Sequence, residues 1–232
     1  MSRDAIFGAI RRGLRRGPLQ PHETLGLYAR LNAHPRHLIP ARSRVPHTGQ
    51  IALFKRNLDK EFATHVTVAD YALVPQAIAD YVASQNLPTD LAIAPHPELR
   101  AIPWADHKML RLREGPAQPS DLVAVQHGYA GIAETGTLML PSAATRPTTL
   151  NLLCDTEIVV LRTSRIMGAL EEAWDTLRWE REGMEDGNFM PRNVMLVTGP
   201  SRSADIESIL ELGAHGPRRL HVVLVNDADQ HA

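Results

Sequence analysis

The chain has 232 residues, of which 44% are hydrophobic and 22% are charged. These fractions are ordinary for a folded globular protein and exclude a mostly disordered chain. The length is sufficient for one substantial hydrophobic core or two small ones. The formal net charge is −1, and a slightly acidic body argues against nucleic acid as a partner.

Cys154 is the only cysteine in the sequence. One thiol cannot form an internal disulfide, an all-thiolate zinc site or a four-thiolate iron–sulfur site. We therefore expect no metal or cofactor in this chain, and any iron–sulfur cluster would need ligands from another chain. No run of 18 apolar residues predicts a transmembrane helix, and the N-terminus lacks a secretory apolar segment. The expected location is the cytoplasm.

The first 17 residues contain five arginines against one aspartate. Ile6, Ile10 and Leu14 are spaced as on one face of a helix, opposite the basic face. Such a helix could dock on an acidic partner or on a membrane surface. Alternatively, it is a short helix that packs on its own domain. Pro, His and Arg dominate the segment that follows, so we assign residues 1–47 to an N-terminal helical arm and linker.

From residue 48 onward the pattern alternates between helices and short apolar strands. Helices are predicted at 48–63, 74–85, 164–181 and 203–212. Strands are predicted at 66–68, 91–94, 108–112, 122–125, 137–140, 157–161, 194–197 and 220–225. Strands that are apolar on both faces, alternating with helices, predict an α/β fold: an open, mostly parallel sheet with helices on both faces. We assign residues 48–232 to a single domain.

Ligands of open α/β sheets bind at the carboxyl ends of the strands, so the loops that border strands are the candidate binding sites. Glu134, Thr135, Gly136 and Thr137 form the first polar loop. A glycine between two threonines permits close approach of a ligand to backbone N–H groups. Glu134 is then an acid/base or a polar anchor in a cleft. Alternatively, the loop is a tight turn whose threonines satisfy backbone groups.

A second loop follows the strand predicted at 194–197 and leads into the helix predicted at 203–212. It contains Gly199, Ser201, Arg202, Ser203 and Asp205. A glycine turn and hydroxyls at a helix N-terminus can bind an anion, and a guanidinium adds a bidentate donor for phosphate or carboxylate. The alternative is a self-capped helix, with a serine as N-cap and the aspartate facing the helix dipole.

A third loop places His215 and Arg218 immediately before the last strand. A histidine in this Gly/Pro turn can bind a proton near neutral pH, and the arginine can pair with an acidic ligand. The alternative is a surface turn with a structural histidine. Two further histidines, His96 and His127, border strands without a partner that the sequence identifies.

The runs IAETGTLML, TLNLLCDTEIVVL and TGPSRSADIESILELGAHGPRRLHVVLVN resemble the lactate utilization protein C family over residues 120–226. The resemblance implies the open α/β fold shared by glucosamine-phosphate deaminase, ribose-phosphate isomerase and CoA transferases. It departs from the family at Ser203, where members usually have threonine, and at 154–156, where they often have a proline–glutamate stretch.

The resemblance implies a role in oxidising L-lactate to pyruvate together with two partner proteins that carry the iron–sulfur clusters. The residues matching the family's motifs are Glu134, Thr135, Gly136, Gly199, Ser201, Arg202, Asp205, His215 and Arg218. We expect the three loops to form one cleft for an anionic small molecule, with Glu134 and His215 positioning it or moving a proton. The alternatives are a stand-alone enzyme for a phosphorylated, nucleotide or CoA substrate, and an assembly factor with no site.

Overall fold

The computed structural model describes residues 2–182, 190–206 and 209–227, and at 204–206 and 209–210 it describes the backbone alone. Its α-helices are α1 (Arg3–Gly13), α2 (Pro21–Ala33), α3 (His47–Lys60), α4 (Val74–Ser84), α5 (Pro97–Arg100) and α6 (Leu170–Arg181). Its strands are β1 (Thr64–Val68), β2 (Asp90–Ile93), β3 (Arg111–Glu114), β4 (Val123–His127), β5 (Ala130–Ile132), β6 (Thr137–Pro141), β7 (Thr156–Arg162), β8 (Ile166–Met167), β9 (Val194–Val197), β10 (Arg202–Ile206), β11 (Ile209–Leu212) and β12 (Arg219–Val225).

Six of the described strands form a parallel sheet in the order β1-β12-β7-β4-β2-β3. The central strand β7 is buried on both faces. Ile158 and Val160 face one core, and Val159 and Leu161 face the other. A sheet that is covered on both sides requires such continuous apolar strands, which is why the sequence shows runs rather than alternation.

Helices cover both faces of this sheet. On one face α4 contributes the fully buried Val74 and Ile78 to the core. On the opposite face α3 contributes Phe54 and Leu58, which are also fully buried. The predicted α/β architecture, with a mostly parallel sheet and helices on both faces, is therefore confirmed.

A second sheet, in the order β8-β5-β6-β9, lies on the α3 side of the main sheet. Leu138 and Leu140 of β6 point into the core shared with α3. Met139, between them, points the other way and packs in a smaller cluster with Leu177 of α6. The alternation along β6 therefore joins two apolar layers. We did not predict β5, and β8 lies where the sequence predicted the start of the helix at 164–181, which begins only at Leu170. Strands of three and two residues are too short to show a period.

The chain divides into two compact units, Met1–Leu38 and Ile39–Ala232, whereas the sequence placed the boundary after residue 47. The first unit contains the two helices of the N-terminal arm, α1 and α2, and neither has a buried residue. Among the described residues, no helix is both long enough and apolar enough to cross a membrane.

The helix predicted at 203–212 is wrong. The described residues there form β10 and β11, an antiparallel pair in which Arg202 lies opposite Leu212 and Ser203 opposite Glu211. Three apolar residues at helical spacing are too few to distinguish a helix from a short strand pair. Residues 207–208, in the middle of the predicted helix, lie outside the described part of the chain.

Candidate functional site

Three neighbouring strands of the parallel sheet end in polar side chains at the same edge. His96 follows β2, His127 is the last residue of β4, and Arg162 is the last residue of β7. Because β7, β4 and β2 are adjacent and parallel, their carboxyl ends meet and bring these side chains together. This edge is where open α/β sheets bind ligands.

Glu98, at the start of α5, is the centre of a hydrogen-bond network. Its Oε2 accepts from Tyr71 Oη at 2.7 Å, Arg162 Nε at 2.9 Å and His127 Nε2 at 3.2 Å. A second guanidinium nitrogen of Arg162 pairs with Oε1. Burial raises the pKa of Glu98, but the hydrogen bonds from His127, Arg162 and Tyr71 outweigh it and hold the pKa well below its usual range. Glu98 is therefore ionised at neutral pH.

Arg146 and the Glu98 backbone N–H fix the proton positions on His127 and His96, respectively. Its Nε donates to His127 Nδ1 at 3.2 Å, so the proton of His127 is on Nε2 and is donated to Glu98. His96 Nδ1 accepts from the Glu98 backbone N–H at 3.3 Å, so its proton is on Nε2. The 3.4 Å approach of Arg146 Nη2 to His96 Nε2 is then a contact between two donors and not a hydrogen bond. The two rings stack with centroids 3.5 Å apart.

Both imidazoles are neutral at physiological pH. Burial, together with the nearby His127 and Arg146, lowers the pKa of His96 to about 4. Burial also lowers the pKa of His127, although its hydrogen bond with Glu98 opposes that effect. The two rings therefore act as hydrogen-bonding groups of fixed polarity rather than as cations.

The other side of the site is built on Tyr129. Its hydroxyl donates to Glu180 Oε2 at 2.6 Å, and Arg165 Nη1 pairs with the same carboxylate at 2.7 Å. The guanidinium of Arg165 lies 4.5 Å from the centroid of the Tyr129 ring, and that of Arg146 lies 5.5 Å from it. The charge of Glu180 is therefore neutralised by Arg165, and the aromatic ring supports both cations.

These groups surround a cavity of about 180 Å³ that is open to solvent on one side. It is lined by His96, Glu98, His127, Tyr129, Arg146, Arg162, Arg165 and Glu180. Three arginines face two carboxylates, and each carboxylate is paired with one arginine. In the described part of the chain no carboxylate pairs with the half-buried Arg146, so the cavity carries one uncompensated positive charge. A partly buried guanidinium without a counter-ion is suited to bind an anion.

The ligating atoms of His96, Glu98 and His127 lie within 4.8 Å of one another, so we tested whether they fit a cation. His127 has one ring nitrogen bonded to Arg146 and donates the proton on the other, which leaves no free lone pair for a metal. The carboxylate of Glu98 is already saturated by Arg162, Tyr71 and His127. With three guanidinium groups nearby as well, the donor set fits an anion better than a metal ion.

The first predicted loop lies elsewhere, at the start of α6 and the end of α3. Glu134 Oε1 accepts from the Leu170 N–H at 3.2 Å, in the first turn of α6. Thr137 Oγ1 lies 2.7 Å from Thr135 Oγ1 and 2.6 Å from Thr198 Oγ1. Glu134 is thus engaged with a helix N-terminus, and the threonines satisfy one another.

Gly136 has φ +69°, and a Cβ on it would lie 2.8 Å from the backbone of Asn57 in α3. Gly199 has φ +79°, and a Cβ there would lie 2.2 Å from the carbonyl oxygen of Glu61. Both glycines therefore allow the chain to pack closely against the end of α3. Their contacts are with the protein backbone.

The second and third predicted loops lie beside each other. The His215 N–H donates to Ser201 Oγ at 3.1 Å, and Arg218 Nε is 3.7 Å from the Asp155 carboxylate. Asp155 and Arg218 immediately precede β7 and β12, so this pair is at the amino edge of the sheet, opposite the cavity.

The guanidinium of Arg202 is 3.6 Å from Glu61 Oε2 and 4.1 Å from the centroid of Phe62. Ser203 and Asp205 lie in β10, not at a helix N-terminus, and the side chain of Asp205 is outside the described part. The described contacts do not join Glu134 to Arg202 or His215. The catalytic and binding roles of the three loops stay predictions.

His96, His127 and Arg162 were not predicted as site residues, because the predicted site was based on loops that contain glycine and hydroxyl residues. A simpler signal was present: three apolar runs end in a titratable or cationic side chain, as in IAPH, VAVQH and VVLR. The strand order that makes these ends adjacent is not visible in the sequence.

The fold and the site define an α/β protein with a small anion-type cavity at the carboxyl edge of a parallel sheet. Residues 123–225 match the family model of the LUD domain, and this range contains His127, Arg146 and Arg162 but not His96 or Glu98. The chain is 35% identical over 105 residues to lactate utilization protein C of Bacillus subtilis, covering 45% of this chain and 42% of that protein.

Two further relatives match a similar length of this chain. The chain is 32% identical over 105 residues to the uncharacterized protein YkgG of Escherichia coli, covering 45% of this chain and 44% of that protein. It is 39% identical over 95 residues to the uncharacterized protein NMB1437 of Neisseria meningitidis, covering 41% and 38%. The chain thus spans about two fifths of the length of the curated relatives it matches. The resemblance to the lactate utilization protein C family is confirmed.

The crystal structure of a DUF162 family protein from Deinococcus radiodurans has the same fold. It superposes with a TM-score of 0.58 at 22% identity, covering 78% of this chain and 99% of that one. This similarity supports the α/β architecture and is too low in identity to transfer a function.

Proposed function

We propose that this chain is a component of a lactate utilization system and binds a small carboxylate anion in the cavity at the carboxyl edge of the sheet. The names of the relatives support the first part, over the matched two fifths of their length. The proposal includes the oxidation of L-lactate to pyruvate by the assembled system in the cytoplasm. The redox step belongs to two iron–sulfur partner proteins, because a chain with one cysteine cannot hold such a cluster by thiolates alone.

Arg146 is the observation that carries the ligand assignment. It is the cavity arginine without a carboxylate partner among the described residues, and its guanidinium is held in place by His127 and the Tyr129 ring. The Nε2–H of His96 lies beside it as a second donor. A ligand carboxylate that accepts hydrogen bonds from both Arg146 and His96 would neutralise the charge of Arg146. Such charge-assisted hydrogen bonds are stronger than those between neutral groups.

The size of the cavity limits the ligand. Pockets that bury drug-sized ligands have volumes of roughly 300–1,000 Å³. The cavity measures about 180 Å³, which suits an anion of a few heavy atoms such as lactate or pyruvate. A nucleotide or CoA would have to lie mostly outside it, so the volume disfavours the alternative of a stand-alone nucleotide- or CoA-dependent enzyme.

Calorimetric titration tests the assignment. The purified chain is titrated with L-lactate, pyruvate, inorganic phosphate, ATP and CoA, and Arg146→Gln is compared with wild type. A hydrogen bond to a charged group contributes about 1.5–3 kcal/mol, so the variant should bind pyruvate or lactate roughly 10- to 150-fold more weakly. Arg202→Gln is the matched control, because its guanidinium faces Glu61 outside the cavity.

Three results contradict the proposal: no binding of either carboxylate, equal binding by Arg146→Gln, or a loss confined to Arg202→Gln. The last result would instead support the ligand site predicted from the three loops. Glu134→Gln and His215→Asn test the same loops in cells. If growth of a deletion strain on L-lactate is restored by both variants but not by Arg146→Gln, the cavity is the functional site.

A further inference from the structure

The N-terminal unit exposes apolar side chains that a folded chain normally buries. On α1, Ile6 is 47% exposed, Ile10 50% and Leu14 59%, and on α2 Leu25 is 70% exposed and Leu31 65%. The two helices have 11 and 13 residues, lengths that are marginal for an isolated helix in water. Their apolar stripes therefore require a surface to pack against, as amphipathic helices generally do.

A groove of about 850 Å³ lies within this unit, where the chain passes from α1 to α2. Leu14, Leu19 and Leu27 contribute apolar lining, and Arg11 and Arg16 contribute positive charge. In the described part of the chain neither guanidinium has a carboxylate partner. The lining of the groove therefore combines apolar side chains with two arginines that lack an ion-pair partner among the described residues.

Charge identifies the occupant. Residues 1–38 contain seven arginines and no lysine against Asp4 and Glu23, a formal charge of +5. The carboxylate of Glu23 lines the groove but already accepts from the Gln20 N–H at 2.7 Å, so it is engaged in capping α2. A second copy of this unit would carry the same positive charge. A bilayer presents a flat face that does not enter a concave groove. A complementary occupant is convex, apolar and negatively charged.

We propose that the groove between α1 and α2 binds an amphipathic helix of a partner protein whose apolar stripe is flanked by carboxylates. The apolar side chains of that helix would pack on Leu14 and Leu27, and its carboxylates would pair with Arg11 and Arg16. This surface is distinct from the small-anion cavity, and the proposal does not depend on the ligand of that cavity. It selects the docking alternative left open by the sequence, with a protein as the partner.

Fluorescence anisotropy with designed peptides tests this proposal on the full chain. The probe is a 20-residue labelled peptide with leucines at i, i+3, i+4 and i+7 flanked by glutamates. One control peptide has the same composition in scrambled order, and another has lysine in place of each glutamate. We expect the acidic amphipathic peptide to bind at least tenfold more tightly than either control, and more weakly as salt rises.

Variants locate the binding. The double variant Arg11→Glu/Arg16→Glu should weaken the acidic peptide at least tenfold, whereas Arg30→Glu, on α2 outside the groove, should change binding less than twofold. Circular dichroism confirms that helix content is unchanged. Three results overturn the proposal. The scrambled peptide binds as tightly as the acidic peptide, the double variant binds the acidic peptide as tightly as wild type, or the double variant binds the lysine peptide no better than wild type. Sedimentation showing that the groove is closed by a homodimer, or stronger binding to phosphatidylglycerol vesicles than to the peptide, overturns it as well.

Discussion

Removing the charge of Glu98 is the sharpest test of how the cavity is held together. Glu98→Gln keeps the shape of the side chain but replaces ion pairs with neutral hydrogen bonds. The carboxylate pairs with Arg162 through both oxygens and accepts from Tyr71 and His127, and its side chain is 27% exposed. Each hydrogen bond to a charged group contributes about 1.5–3 kcal/mol, and breaking a fully buried pair costs about 3–5 kcal/mol. For this partly exposed group we expect a loss of about 2–3 kcal/mol at pH 7.

The loss should depend on pH with a defined sign. The folded-state pKa of Glu98 lies below that of the unfolded chain, which is near ~4.3 for glutamate. The contribution of the carboxylate is therefore fully present above about pH 5 and is lost as the pH falls through the folded-state pKa. The difference between wild type and Glu98→Gln should be constant from pH 7 to 5 and shrink below pH 4.

Urea unfolding followed by circular dichroism at pH 7, 5 and 3.5 measures this difference. Glu114→Gln is the matched control, because its carboxylate also pairs with an arginine, Arg100, but on the surface with both side chains well exposed. We expect no measurable shift of its urea midpoint. A Glu98→Gln midpoint equal to wild type at pH 7, or a difference that does not shrink on acidification, would refute the account of Glu98 as the ionised centre of the site.

Two further predictions concern the core. Both carboxylate oxygens of the fully buried Glu157 lack a hydrogen-bond partner in the described part of the chain, and burial raises its pKa to about 8. The folded state then keeps a proton that the unfolded chain releases near pH ~4.3. The free energy of unfolding of the wild type should therefore fall from pH 5 to 8 by up to about 1.4 kcal/mol per pH unit. In urea titrations, the free energy of unfolding of Glu157→Gln should depend less on pH. Gly136→Ala should lower the free energy of unfolding by about 2 kcal/mol or more, because φ is positive and the added Cβ meets Asn57. The control Gly17→Ala, whose Cβ would have nothing within 4 Å, should leave the melting temperature within about 1 °C of wild type. Equal melting temperatures for the two variants would contradict this packing.

The sequence predicts the sheet well because burial on both faces leaves long apolar runs. The runs at 157–161 and 220–225 are predicted strands, and the strands that form there, β7 and β12, both lie inside the sheet. The helix predicted around Ile206 was wrong for the opposite reason. The segment is short and mixed, and its apolar spacing is compatible with either a helix or the strand pair that forms.

The candidate site was harder to predict because it depends on strand order. His96 and His127 are 31 positions apart in sequence, and their rings stack only because β2 and β4 are adjacent. Arg146 comes from a loop between strands and carries no local signal. The loop at Gly136 was predicted to bind a ligand because glycine allows close approach to the backbone. In the structure this freedom lets the loop pack closely against α3.

A crystal structure of the protein soaked with sodium pyruvate tests the central claim most directly. We expect the carboxylate in the cavity at the carboxyl edge of the sheet, with an oxygen about 2.7–3.2 Å from the Arg146 guanidinium and within reach of His96 Nε2. Pyruvate bound instead beside Arg202 and His215, or a cavity without pyruvate at saturating concentration, would contradict the claim.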